Sequence, residues 1–403
     1  MTLIGQRHLL ILLAVTTLLS ACADDAANTA NATSPGMEIG EDMGDMEMPS
    51  PDAGVDMNAN NENNASSEDM SQDLGSGQDM DSPEDMAPML AQLQRCQSAP
   101  LPTDLPEEEW QHTRNKAITL ASADHSSQDA LTTTTHGTRI EGKFAYGKVS
   151  KDLEDERVEI LIDDCSGQYR SLGIEVTDSD GRIAFEIPTA DLPAPGVYSI
   201  YLRVLGDNSS ARSSLGVYPP QTRLVVFDID GTLTTKDAEI FQDAIADFFE
   251  PIYSGDVVPE SREGAVEITA LRAQQNYPLV YLTGRPYVLT RITREWLETQ
   301  NYPHGTVHTT NSNSEVIPSE DNVGVFKRDY LLDLLDRDFI LEMGYGNATT
   351  DIFAYGEANI PTSRTYIAGE HGGEGMTQVV GDDYLQHLPE AQMDPDAVQP
   401  FAP

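Results

Sequence analysis

Two hydrophobic rhythms divide the chain. From about Trp110 to Pro220 apolar and polar positions alternate, as where Tyr198, Ile200, Leu202 and Val204 face one way and Val197, Ser199, Tyr201 and Arg203 the other. Period two marks half-buried strands, and it predicts strands at 139–146, 158–162, 171–176, 182–187 and 197–205. The pairs Asp180-Gly181 and Gly206-Asp207 supply hairpin turns. Residues 110–220 are therefore expected to fold as an immunoglobulin-like β-sandwich.

From Arg223 the rhythm changes. Leu224-Val225-Val226-Phe227 is a short continuous apolar run, the pattern of a strand buried on both faces. Tyr277–Leu282, Phe339–Met343 and Thr365–Ala368 repeat it. Between these runs apolar residues fall at helical spacing: Phe241, Ala244, Ile245 and Phe248; Leu289, Ile292 and Trp296; Tyr330, Leu331, Leu334 and Leu335. Strands alternating with helices predict an α/β domain over 221–390, a Rossmann-like, mostly parallel sheet flanked by helices. The glycine-rich stretch His371–Gly375 and the residues after it carry little periodicity, and 391–403 reads as a tail.

The first 95 residues show neither rhythm. Residues 1–22 read as an export signal, with Arg7, an apolar core from Leu9 to Leu19 and a small-residue cleavage site. Residues 23–95 are rich in Asp, Met and Asn, with no Lys or Arg from Ala23 to Leu90. Such a segment is expected to stay disordered and extended, as a tether. It carries much of the formal charge of −43 over the 403 residues, a balance that disfavours non-specific binding to nucleic acid. Leu19-Ser20-Ala21-Cys22 resembles the lipobox of bacterial lipoproteins. That resemblance implies lipid on Cys22, anchoring to a membrane and an exported destination at the outer membrane. In an oxidising compartment Cys96 and Cys165 are expected to pair, with two separate thiols as the alternative.

The chemistry begins where the first apolar run of the α/β region stops. Asp228-Ile229-Asp230-Gly231-Thr232-Leu233-Thr234 places two acids at the carboxyl end of a parallel strand, where open α/β sheets build their sites. Acids at i and i+2 on an extended strand point the same way, so their repulsion calls for a cation; a strand-to-loop turn with an Asx cap is the plainer alternative. Further polar points recur at the ends of later elements: Thr283-Gly284-Arg285, Lys327 at the opening of a helix, and Asn347 with Asp351. Singly, Thr283 reads as a helix cap, Lys327 as a solvated lysine and Asn347 as a cap. Together, in this order, they describe a phosphoryl-transfer site.

In that order the chain resembles the haloacid dehalogenase (HAD) superfamily of phosphohydrolases. More narrowly, DIDGTLT, YLTGRP, the stretch Asn301-Tyr302-Pro303-His304-Gly305 and Gly344-Tyr345-Gly346-Asn347-Ala348-Thr349-Thr350-Asp351 look like the LNS2 domain. Lipin phosphatidate phosphatases and RdgB/Nir phosphatidylinositol transfer proteins share that domain. The resemblance spans roughly Arg223 to Gly369. It implies Asp228 as nucleophile and Asp230 as acid and base. It implies Mg²⁺ held by Asp228, the Asp230 carbonyl, and Asn347 or Asp351 or both. Phosphate would be held by Thr283, Gly284 and Lys327, with Arg285, exposed beyond its strand, on the head group or as a second phosphate contact. The motifs are mixed: Nir-type domains lack the first acid that Asp228 keeps, as lipins do, while the TGRP loop is Nir-like. The expected activity is Mg²⁺-dependent hydrolysis of phosphatidate or a related phospholipid. A phosphatase of soluble periplasmic phosphomonoesters and a non-catalytic lipid-binding module are the alternatives.

Overall fold

The computed structural model describes residues 94–95, 100–102, 104–147, 150–163, 167–235, 259–310 and 320–400. The export-signal segment, nearly all of the acidic stretch, Cys22, Cys96, Cys165 and the helix expected around Phe241–Phe248 lie outside the described residues. Among the described residues no helix is long and apolar enough to cross a membrane.

The alternating region forms a β-sandwich. A short helix α1 (Thr113–Ile118) precedes strands β1 (Ala130–Thr133), β2 (Thr138–Lys143), β3 (Arg157–Asp163), β4 (Tyr169–Val176), β5 (Arg182–Ile187), β6 (Gly196–Val204) and β7 (Ser210–Tyr218). The larger sheet runs β1-β7-β6-β3-β4, with Gln94–Arg95 added in parallel beside β6; the smaller joins Ser126–Ser127, β2 and β5. Ile140, Phe144, Ile160, Ile200, Leu202 and Leu215 fill the space between them. The alternation does not predict strands β1 and β7. Their buried faces carry Thr132, Thr133 and Ser213, residues that a hydropathy pattern reads as wet although hydrogen bonds make them compatible with burial.

The second region is an α/β domain. Strands β8 (Arg223–Phe227), β9 (Leu279–Pro286), β10 (Thr306–Thr310), β11 (Ile340–Gly346), β12 (Thr365–Ala368) and β13 (Gln378–Gly381) pair in the order β10-β9-β8-β11-β12-β13, all parallel. Val225 and Phe227 enter one core, under helices α2 (Ala265–Gln274) and α3 (Thr290–Thr299). Leu224 and Val226 enter the other, under α4 (Glu320–Asp336) and α5 (Thr349–Glu357). Burial on both faces explains the unbroken apolar run. The chain winds away from β8 in both directions, so the crevice beyond β8 and β11 is the topological switch point of the sheet. Beyond β13 the chain is not a loose tail: Tyr384 and Ala391 are fully buried, and the Gln399 side chain bonds both the N–H and the carbonyl of Arg223.

Sandwich and α/β sheet share structure. Leu131 and Tyr218 belong to the same hydrophobic core as Leu224, Val226 and Leu331. The edge strand β10 is covered by two sandwich side chains acting as a strand would. Asp129 Oδ2 accepts the Val307 N–H at 2.8 Å, Gln128 Oε1 accepts the Thr309 N–H at 3.2 Å, and Gln128 Nε2 donates to the Thr309 carbonyl at 2.8 Å. Asp129 Oδ1 also accepts from Ser214 N–H at 2.7 Å and from Arg294 at 2.9 Å. An edge whose polar groups are satisfied this way is no template for another chain.

Candidate active site

At the end of β8 the backbone turns sharply through Gly231, which has φ +78°. A Cβ there would overlap the Asn347 amide, so only glycine admits both the left-handed turn and the close approach of Asn347. The turn brings Thr232 back over Asp228, where its hydroxyl donates to Asp228 Oδ2 at 2.8 Å. Asp228 Oδ1 accepts from Lys327 Nζ at 2.6 Å, and the same ammonium donates to Asp351 Oδ1 at 2.6 Å.

These three charges are almost wholly buried. Burial pushes the Asp228 carboxyl up to about 7; Lys327 pulls it down, and Asp351 and Asp230 add to the rise. Burial also works against the Lys327 charge, yet Asp228 and Asp351 hold its ammonium above the usual lysine value. The cation is secure, while the Asp228 charge stands against burial and two further acids.

One end of the Asn347 amide lies 2.9 Å from the Asp230 carbonyl oxygen, 3.3 Å from Asp228 Oδ2 and 3.0 Å from Thr232 Oγ1. With nitrogen at that end the amide donates to these oxygens. With oxygen there, three oxygens of different chemistry converge: a carboxylate, a main-chain carbonyl and an amide. That donor set fits a hard cation such as Mg²⁺. Among the described residues no group of three or more His, Cys, Asp and Glu side chains forms a metal cage, and this set is not of that kind. Asp351, expected as a ligand, is otherwise engaged. Its Oδ1 faces Lys327, and its Oδ2 accepts the N–H groups of Asn347 and Ala348 at 3.0 and 3.1 Å, at the start of α5.

Two further expectations are corrected. Lys327 does not open a helix but sits well inside α4, whose buried face carries the ammonium between Asp228 at the end of β8 and Asp351 in the first turn of α5. Arg285 is not exposed: its side chain is 4% accessible and grips Asp230, with Nη2 2.8 Å from Oδ1 and Nε 3.0 Å from Oδ2. It also donates to Thr293 Oγ1 at 3.0 Å. A guanidinium fork matches a carboxylate in this way when water is excluded. Thr283, wholly buried, donates to Asp230 Oδ2 at 2.8 Å, so it holds the second acid. Gly284 passes close to Val323, which a Cβ would press upon.

The structure thus gathers Asp228, Asp230, Thr283, Arg285, Lys327, Asn347 and Asp351 at one sheet edge, and adds Thr232. Residues 225–369 match the family model described as "PITM 1-3, LNS2 domain", and residues 123–217 the model "PITM 1-3, beta-sandwich domain". The chain carries a PITM-type β-sandwich and an LNS2 domain. It is similar to "Protein retinal degeneration B" of Drosophila melanogaster, 29% identical over 290 residues, which cover 70% of this chain and 21% of that protein. It is 28% identical over 305 residues to human "Membrane-associated phosphatidylinositol transfer protein 1", covering 74% of this chain and 23% of the relative. The match to this LNS2 and sandwich pair thus spans about a quarter or less of these relatives' length. A solved HAD-like phosphatase from Mesorhizobium loti aligns at TM-score 0.32 and 16% identity, over 50% of this chain and 93% of its own.

These relatives correct one expectation. They are animal proteins, and those named phosphatidylinositol transfer proteins are named membrane-associated. An exported bacterial lipoprotein at an outer membrane is overturned by that kinship.

Proposed function

We propose that the LNS2 domain of this chain is a Mg²⁺-dependent phosphomonoester hydrolase, working through an aspartyl-phosphate on Asp228, with phosphatidate or a related phospholipid as substrate. The observation that carries this reading is the convergence of Asp228 Oδ2, the Asp230 carbonyl and the Asn347 amide beside Lys327. When bound there, Mg²⁺ would offset the charge of an approaching phosphate, which a carboxylate nucleophile cannot otherwise attack.

The chain's own residues supply the rest. Lys327 holds Asp228 Oδ1 and brings positive charge to the phosphate oxygens. Attack by an Asp228 oxygen forms one P–O bond and breaks the bond to the leaving alkoxide, which takes a proton from Asp230. Asp230 then takes a proton from the water that hydrolyses the phosphoenzyme. For either transfer the pair with Arg285 must open, and a substrate phosphate is the group best suited to draw the guanidinium away. The lipid part of the reading is supported by the relatives' names, which specify phosphatidylinositol transfer.

The test is phosphate release by the full chain from phosphatidate in mixed micelles and from a panel of soluble phosphomonoesters, with Mg²⁺ and with chelator. Chelator-sensitive release from phosphatidate that Asp228→Asn abolishes is the expected result. Preference for soluble esters would remove the lipid clause, and no release from any substrate would remove the enzyme. The closed Arg285–Asp230 fork favours a second reading, a module that binds phospholipid without turnover. Its signature would be Mg²⁺-dependent retention on phosphatidate vesicles with no phosphate released.

A further inference from the structure

Arg262 lies in no recognised motif, yet it touches the turn that carries the site. Its side chain is buried, and its Nε donates to the Thr232 carbonyl at 3.1 Å and its Nη2 to the Gly231 carbonyl. Its Nη1 donates to the Asp382 carbonyl at 2.5 Å, and its own N–H to the Leu233 carbonyl at 2.7 Å. Next to it, Ser261 bridges Thr234 and the Glu260 carbonyl accepts the Thr235 N–H. The arginine therefore stands where the chain that leaves the nucleophile turn comes back to it.

Among the described residues Arg262 makes no ion pair. A buried cation is costly unless charge or dipoles compensate it, and here the dipoles belong to the two peptide units just after Asp230. Those units orient what the site needs. Gly231 must keep its left-handed turn for Asn347 to approach, and Thr232 must reach both Asp228 Oδ2 and the Asn347 amide. The third carbonyl belongs to another part of the chain. Asp382 starts the segment in which Tyr384 N–H bonds the Glu263 carbonyl, and a Cβ on Gly264, with φ +78°, would press on Tyr384 and Leu385. That segment lies beyond residue 369, where the LNS2 match ends.

We propose that Arg262 is the positioning residue of the nucleophile turn, clamping Gly231 and Thr232 to the carboxyl-terminal segment at Asp382 so that the oxygen cluster at Asp228 is assembled before any ligand arrives. The inference deepens the reading of this site as a Mg²⁺ site and rests on it for the metal, but not for the clamp. Arg262 touches no expected reacting atom, and it acts only through the turn.

The experiment uses the full chain with Mg²⁺ alone as probe. Mg²⁺ affinity is measured by titration calorimetry, and amide hydrogen exchange is followed in the peptide covering 224–235. Arg262→Met is expected to weaken Mg²⁺ binding at least tenfold and to speed exchange of the turn amides at least tenfold. Arg262→Lys, which keeps the charge but not the fork, is expected to fall between. Arg272→Met is the control. It undoes the buried bonds from Arg272 to Asp394 and Tyr345 without a bond to the turn. It should lower the melting temperature while leaving both readouts within twofold of wild type. Turn exchange unchanged in Arg262→Met, or altered equally by Arg272→Met, would overturn the clamp. A wild-type chain that binds no Mg²⁺ would sink the metal reading instead, with the clamp still decided by exchange.

Discussion

Replacing Asp129 with alanine should unfold sandwich and LNS2 domain together. Its carboxylate is 2% accessible and bonds Arg294, itself only 17% accessible, together with the N–H groups of Ser214 and Val307. Removing one partner of a buried ion pair costs about 3–5 kcal/mol, and that range already includes part of the roughly 1–3 kcal/mol for each buried donor left unpaired. A loss of about 3–5 kcal/mol is therefore expected for Asp129→Ala. Asp129→Asn keeps an acceptor and should lose about half as much. The two tryptophans make the assay direct. Trp110 packs on Gly206 in the sandwich, and Trp296 lies in the LNS2 core with its indole N–H on the Pro259 carbonyl at 2.9 Å. Urea unfolding of Trp110→Phe and Trp296→Phe forms, followed by fluorescence, reports each domain by itself. Coincident midpoints, both shifted by Asp129→Ala, are expected. Separate midpoints, or a shift worth less than about 1 kcal/mol, would refute the claim that Asp129 joins the two domains, since an exposed contact is worth no more than that.

Other consequences arise from the same geometry. Gly231→Ala puts a Cβ against the Asn347 amide and should cut Mg²⁺-dependent phosphate release at least tenfold; release near wild type would show that the turn relaxes. Lys327→Met leaves Asp228 and Asp351 facing each other without their cation, and calorimetry should show destabilisation of about 3–5 kcal/mol. His125, buried with Nδ1 accepting the Ala145 N–H, has its pKa lowered to about 4 by burial, with Asp207 acting the other way. Because the folded value lies below the unfolded one, that contribution is intact above about pH 6.5 and is lost as pH falls toward 4. It amounts to about 3 kcal/mol. Urea unfolding at pH 7 and pH 4.5 should therefore show a smaller acid loss in His125→Gln than in wild type, and equal losses would exclude His125 as the cause.

How far the sequence carried the reading depends on whether a residue's role is local. Leu224–Phe227 showed its double burial in its own composition, and the acids at 228 and 230 showed their common direction by spacing alone. The same holds for β5, whose observed limits are Arg182–Ile187. Polar strands escaped, because Thr132, Thr133 and Ser213 are buried through hydrogen bonds that no hydropathy pattern records. Arg285 looked exposed because its partner, Asp230, is 55 residues away. Lys327 reads as a residue at a helix start, since an ammonium inside a helix reads as solvated until the acids facing it are known. Arg262, Gln128 and Asp129 gave no signal, because each works on backbone atoms of a distant segment, and backbone atoms have no letter in a sequence.

The side chains that stand in for a missing strand beside β10 also bear on inheritance. A gene rearrangement that moved the LNS2 stretch alone would release Val307 and Thr309 amides into water at a strand edge and strip Leu131 and Tyr218 from a shared core. The product would be a sticky fragment, prone to pair with its own copies through that edge. Selection against such fragments would favour keeping the two segments adjacent and in one order.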